Sequence, residues 1–250
     1  MPSFRHDDVE IAFFDEGEGE PIVLVHGFAS NKEVNWVATR WVATLKRARR
    51  RVIAADMRGH GASTKFYDPT RYHTSLMAED VRGLLDHLGL GWADILGYSM
   101  GARIAAFLAL ADPERVRSAI LGGLGMRLIE GAGLPEGIAE ALEAPAAADV
   151  PDRQARIFRE FADETGSDRA ALAACIRGSR QSLTRAEAAR IGVPLLVAVG
   201  TKDEIAGSAH DLAALIPGAQ AVDIPRRDHM RAVGDNVFKR AVLQFLGERP

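Results

Sequence analysis

Alternation is what most constrains the fold of this chain. Short, continuously apolar runs rich in β-branched residues recur along it. They are PIVLVHG at 21–27, RVIAADMRG at 51–59, ADILGYS at 93–99, RVRSAILGG at 115–123, VPLLVAVGT at 193–201 and QAVDIP at 220–225. A run that is apolar at nearly every position suits a strand covered on both faces, as in a parallel sheet. Between these runs lie segments of helical period. In TSLMAEDVRGLLDHLG, residues 74–89, Leu76, Val81, Leu84, Leu85 and Leu88 share one face, and Gly89 suits the C-terminal cap. Residues 100–111 are Ala/Leu-rich, and Pro113 sets where that helix must have ended. Two more helices fit 208–215 and 236–246. Strands alternating with helices build βαβ units, so the expected class is α/β, with a mostly parallel central sheet and helices on both faces. The opening SFRHDDVEIAFFDEG instead reads as two strands around a turn at Asp7-Asp8, which makes the sheet mixed.

One stretch interrupts the pattern. Residues 126–190 hold no strand signal but carry helical fragments, GIAEALEA, DRQARIFREFADE, DRAALAACIRG and TRAEAARI. The alternation resumes at Val193, so 1–125 and 191–250 are expected to complete one sheet, with 126–190 inserted over its edge. Its apolar residues Met126, Leu134, Ile138, Phe158 and Phe161 read as the insertion's own core in preference to a pocket lining.

Composition narrows the function classes. A net charge of −3 gives no reason to expect a nucleic-acid partner. The basic run Lys46-Arg47-Ala48-Arg49-Arg50-Arg51 reads as a solvated helix end favoured by the helix dipole. The single cysteine, Cys175, cannot form an intrachain disulfide and reads as a small buried hydrophobe. MPSFRHDDVE lacks the apolar core of a signal peptide, and no run is long enough to span a bilayer, so a cytoplasmic location without membrane attachment is expected. No histidines show H-x-x-x-H spacing, no G-x-G-x-x-G follows a candidate strand and no phosphate-binding P-loop occurs. No metal or cofactor is expected.

The chemistry concentrates at Gly97-Tyr98-Ser99-Met100-Gly101, a G-x-S-x-G between an apolar strand and a helix. A strand that turns sharply into a helix crowds the residues two before and two after the tip, so both must lack bulk. The tip residue sits in a sparsely allowed backbone conformation costing about 1–3 kcal/mol, and it presents its side chain outward. A serine there needs a base, since its hydroxyl is scarcely ionised at neutral pH. Among seven histidines, His6, His73, His87 and His210 read as surface residues, whereas His26, His60 and His229 lie in loops after strands. Such loops gather at the carboxyl edge of the sheet, where sites form. His26 is expected to shape a tight turn, leaving His229 as the preferred base. The carboxylate that orients it should also follow a strand, which selects Asp203 in LLVAVGTKDEIAG. Glu204 and Asp228 adjoin the pair and stay open as alternatives. For an oxyanion, the backbone N–H of Met100 and that of Phe28 in LVHGFAS are the expected donors.

Together these residues resemble the α/β-hydrolase fold superfamily across essentially the whole chain. The match is carried by H-G-F at 26–28, DMRGHGAS at 56–63, G-Y-S-M-G at 97–101, G-x-x-D at 200–203 and the late His229. The resemblance implies that 126–190 is a helical cap roofing the pocket, and that the loop at 56–63 is structural, giving Arg58 and His60 no catalytic role. In character the chain is closest to small capped carboxylesterases and lactonases, with cofactor-free haloperoxidase-like and carbon–carbon bond hydrolases nearby. Epoxide hydrolases and haloalkane dehalogenases carry aspartate at the elbow tip, and Ser99 argues against both. The expected activity is hydrolysis of a small to medium carboxylic ester or lactone through an acyl-enzyme on Ser99, by a monomer or homodimer. Enol-lactone or carbon–carbon bond hydrolysis with the same three side chains is the alternative. A slow-turnover small-molecule sensor is another.

Overall fold

The structure, a computed structural model, describes residues 2–131 and 134–249. β1 (Ser3–His6) and β2 (Val9–Glu16) form the expected hairpin, with Asp7 at φ +54° in the turn. There follow β3 (Glu20–Val25), α1 (Trp41–Arg47), β4 (Arg50–Ala55), α2 (Thr74–His87), β5 (Ala93–Tyr98), α3 (Met100–Ala111) and β6 (Val116–Gly122). The described residues of 126–190 contribute helices alone, among them α4 (Arg127–Glu130), α5 (Gly137–Glu143), α6 (Arg153–Glu164), α7 (Arg169–Gly178) and α8 (Arg185–Ala188). The alternation then resumes with β7 (Leu195–Gly200), α9 (Ala209–Ala213), β8 (Gln220–Ile224), α10 (His229–Ala232) and α11 (Asn236–Glu248). The eight strands make one sheet in the order β1-β2-β4-β3-β5-β6-β7-β8, antiparallel at β1, β2 and β4 and parallel from β4 to β8.

The unbroken apolar runs are explained by two cores, one on each face of this sheet. Successive strand side chains point to opposite faces. Val23, Val25, Ile53, Ile95, Leu121 and Val197 therefore pack with residues of α2, α3 and α9. Ile22, Leu24, Val52, Leu96, Ile120 and Leu196 pack with α1 and α11. Each fully buried aliphatic side chain contributes about 1.5–3 kcal/mol relative to exposure, so neither face tolerates a polar register. A third apolar cluster joins α5, α6 and α7, through Ile138, Leu142, Phe158 and Leu172, to Phe28, Ala29 and Tyr72 of the core loops. The inserted helices thus sit on the loops at the carboxyl edge of the sheet.

The basic run departs from expectation. Only Lys46 and Arg47 belong to the end of α1, and Lys46 pairs with Glu16 at 2.6 Å on the surface. Arg50 and Arg51 instead open β4. There the Arg50 guanidinium, only 11% exposed, reaches Glu20 at 2.5 Å and the buried Asp94 at 3.2 Å. Arg249, also buried, donates to the same two carboxylates at 3.1 and 2.6 Å. Pairing β3 with β4 places residues 20 and 50 side by side at the amino edge of the sheet, and that register turns a surface charge run into part of an ion cluster.

Candidate active site

Ser99 stands at the tip between β5 and α3 with φ +54° and ψ −109°, in a sparsely populated region. The flanking glycines permit this turn because nothing larger fits. A Cβ on Gly97 would lie 2.1 Å from the Gly101 carbonyl oxygen, and one on Gly101 would lie 2.0 Å from that of Val25. Both obstacles are backbone, so neither can move aside. The Ser99 N–H donates to Gly122 O at 2.8 Å, tying the tip to β6. Its own carbonyl accepts from the Arg103 N–H at 3.1 Å, starting the helix.

The three residues expected to react together meet in one hydrogen-bonded line. Ser99 Oγ lies 3.0 Å from His229 Nε2, and His229 Nδ1 lies 2.8 Å from Asp203 Oδ2. A carboxylate only accepts, so the Nδ1 proton belongs to that bond and Nε2 is left to accept from the serine hydroxyl. The Asp203 side chain is fully buried and that of His229 is 8% exposed. The other Asp203 oxygen accepts from the Ile205 and Ala206 N–H groups at 2.9 and 3.0 Å, fixing the carboxylate plane. Tyr98 holds the other side of the loop, donating its hydroxyl to the His229 carbonyl at 2.5 Å. Glu204 is exposed and makes no side-chain hydrogen bond among the described residues. Asp228 caps α10, accepting from the Arg231 N–H at 2.9 Å. Neither is brought to His229 as Asp203 is.

The other two strand-end histidines do a different job. Met57 N–H donates to His26 Nε2 at 3.0 Å, so the proton sits on Nδ1, which donates to Gly27 O at 2.8 Å. His60 Nδ1 donates to Arg58 O at 2.9 Å while its buried Nε2 finds no partner among the described residues. Burial pushes both imidazoles down, His60 to about 3, and each remains neutral. Asp56 joins their loops, accepting from Lys32 Nζ at 2.6 Å, from the Lys32 N–H at 2.8 Å and from the Ala62 N–H at 2.9 Å. Arg58 grips Asp80 with two bonds of 2.7 Å. These contacts hold the 26–28 turn against the serine, where a Cβ on Gly27 would stand 3.6 Å from Ser99 Cβ.

Two cavities meet at Ser99 and Phe28. One, of about 150 Å3, runs past Asn35, Tyr98, His229, Met230, Phe158 and Phe161. The other, of about 50 Å3, lies beneath the inserted helices and is lined in part by Met100, Arg103, Arg127, Leu134, Ile176 and Ile205. Leu134, Phe158 and Phe161 therefore face the cavities as well as the insertion's core, whereas Met126 and Ile138 are buried away from them. Cys175 is buried 3.9 Å from Met100 Sδ, and burial raises its thiol to about 12, so it stays protonated. Phe28 and Met100 line the space beside Ser99, and neither N–H donates to a loop or side-chain acceptor among the described residues. Three further residues at the cavities, Asn35, Arg103 and Arg127, escape a search for catalytic types. The signal for Arg103 is its place as the one charge in the apolar stretch 100–111.

Comparison with known proteins agrees with this fold. The family described as alpha/beta hydrolase fold matches residues 20–130. A hydrolase from Pseudomonas aeruginosa superposes with a TM-score of 0.81 at 28% identity, over 98% of both chains. The enol-lactonase of Burkholderia xenovorans LB400 superposes with a TM-score of 0.78 at 25% identity, over 99% of this chain and all of the other. In sequence, 2-hydroxymuconate semialdehyde hydrolase from a Pseudomonas species is 38% identical over 44% of this chain. The matched segments span only 29 to 42% of the length of the first three curated relatives. With its eight-stranded, mostly parallel sheet flanked by helices, the chain has the α/β-hydrolase fold.

Proposed function

We propose that this chain is a serine hydrolase that cleaves small to medium carboxylic esters through an acyl-enzyme on Ser99. The observation that carries the reading is the line Ser99 Oγ to His229 Nε2 to Asp203, with bonds of 3.0 and 2.8 Å. His229 takes the serine proton as Oγ attacks the ester carbonyl. The Asp203 carboxylate stabilises the imidazolium that forms, and His229 returns the proton to the departing alkoxide. A water activated by the same imidazole then releases the acid. The N–H groups of Phe28 and Met100 are proposed to receive the oxyanion, an interaction typically worth about 10²–10³ in rate per donor. Residues 126–190 act as the cap, closing the cavities over Ser99 and limiting what fits.

Hydrolysis of an enol-lactone is the second reading, favoured by the full-length likeness to an enol-lactonase. A ring ester needs the same attack and the same oxyanion donors, so the two readings differ only in the substrate. A panel of para-nitrophenyl esters of increasing acyl length, run beside simple lactones, separates them, with Ser99→Ala as the control. Turnover of the short esters that vanishes in Ser99→Ala supports the leading reading. Turnover unchanged in that variant contradicts it.

A further inference from the structure

Arg103 is buried to 6% exposure beside the nucleophile, yet no carboxylate meets it among the described residues. It lies one helical turn after Ser99, so its side chain and Ser99 share a face of α3 and line the same cavity. Nη1 donates to Gln181 O at 2.6 Å, and Nη2 donates to Arg127 O at 3.0 Å and Gly131 O at 3.3 Å. Nε donates to nothing among the described residues. Arg127, an exposed residue, lines the mouth of the same cavity, and its guanidinium has neither an ion pair nor a hydrogen bond among the described residues. Neither cavity that meets Ser99 includes an aspartate or glutamate in its lining.

Carbonyl oxygens satisfy donors but carry no net charge, and a buried guanidinium without an anion is costly. Burial alone lowers Arg103 to about 10, with no compensating charge. The other buried arginines of the core are treated differently: Arg58 meets Asp80, and Arg249 meets Asp94 and Glu20. An anion completing the Arg103 site would have to arrive from outside the described chain and fit the cavity holding the nucleophile.

We propose that Arg103, with Arg127 beside it, binds a carboxylate of the substrate, so that the preferred substrates are monoanionic esters or lactones carrying a free carboxylate group. This rests on Ser99 as the attacking residue and adds the chemical class of its target. The free Nε–H of Arg103 and the guanidinium of Arg127 supply charged donors that give orientation as well as affinity.

The test compares para-nitrophenyl hydrogen glutarate with para-nitrophenyl pentanoate, which match in acyl length and differ in the terminal carboxylate. The wild type should favour the glutarate in kcat/KM by about 10- to 100-fold, mostly through KM. Arg103→Gln keeps an amide donor toward the cap carbonyls but removes the charge, and Arg127→Gln leaves those carbonyl contacts untouched. Both should bring the ratio of the two esters toward one. Equal kcat/KM for the two esters in the wild type overturns the proposal. So does a loss in the arginine variants that falls on both esters in the same proportion, the signature of a purely structural strut. If neither ester is turned over, the Ser99 reading fails, and the carboxylate site is then decided separately by binding. Free glutarate should raise the thermal midpoint of Ser99→Ala but not of the double variant Ser99→Ala/Arg127→Gln. An unchanged midpoint in Ser99→Ala overturns it.

Discussion

Two kinds of strand-end histidine stand within one sheet edge. His26 and His60, with rings 5.0 Å apart, close on backbone groups and on each other's loops. His229 closes on a carboxylate at one nitrogen and on a serine hydroxyl at the other, with a cavity alongside. All three share the fold position that favours reactivity, so position alone does not make a base. The difference lies in partners: a histidine whose proton is committed to a carbonyl and whose ring is sealed from solvent shapes a loop. One that bridges a buried carboxylate and an accessible hydroxyl can move a proton.

The contrast can be broken at several points. The largest effect is expected at the reacting pair, where Ser99→Ala or His229→Ala should lower ester kcat by about 10⁴–10⁶ without altering the circular dichroism spectrum. His60→Gln, by comparison, should leave that rate close to wild type, and a comparable loss there would erase the distinction between the two kinds of histidine. Asp203→Asn follows with a loss of about 10⁴, because the amide can donate toward Nδ1 and favour the wrong tautomer. Steady-state kinetics with a short para-nitrophenyl ester measures both. Next comes the elbow itself: Gly101→Ala drives a methyl into the Val25 carbonyl and should cost about 3 kcal/mol or more of stability in urea unfolding.

At neutral pH the smallest effect belongs to the loop-shaping pair, whose contribution changes only in acid. Unfolded, His60 takes up a proton near its ordinary 6.5, whereas folded it refuses one until about 3. Its contribution to stability is therefore complete above pH 6.5 and falls as pH drops toward 3, at about 1.4 kcal/mol per pH unit. Urea melts across that window should show His60→Gln declining less steeply than the wild type. Parallel profiles would mean that His60 is hydrated in the folded protein.

Much of this was legible in residue order. Continuous apolar runs located β3 to β8, and the steric demand of the elbow, with the position of Asp203 and His229 after β7 and β8, assembled the candidate site. What stayed hidden depended on register or on distant segments. Arg50 reads as a surface charge until β4 pairs with β3 and brings Glu20 and Asp94 to it. Arg103 reads as an ordinary helix residue until Gln181, Arg127 and Gly131 arrive from the insertion to bury it. Setting aside Glu204 and Asp228 needed the structure, which brings Asp203 to His229 Nδ1 and holds its other oxygen on the Ile205 and Ala206 amides.

The most direct test of Ser99 as nucleophile is the intact mass of the protein quenched during turnover of a slowly deacylated para-nitrophenyl ester. A single acyl adduct is expected, mapping by peptide fragmentation to the segment that holds Ser99 and absent from Ser99→Ala. Turnover that proceeds with no adduct under burst conditions, or an adduct that persists in Ser99→Ala, would contradict the assignment.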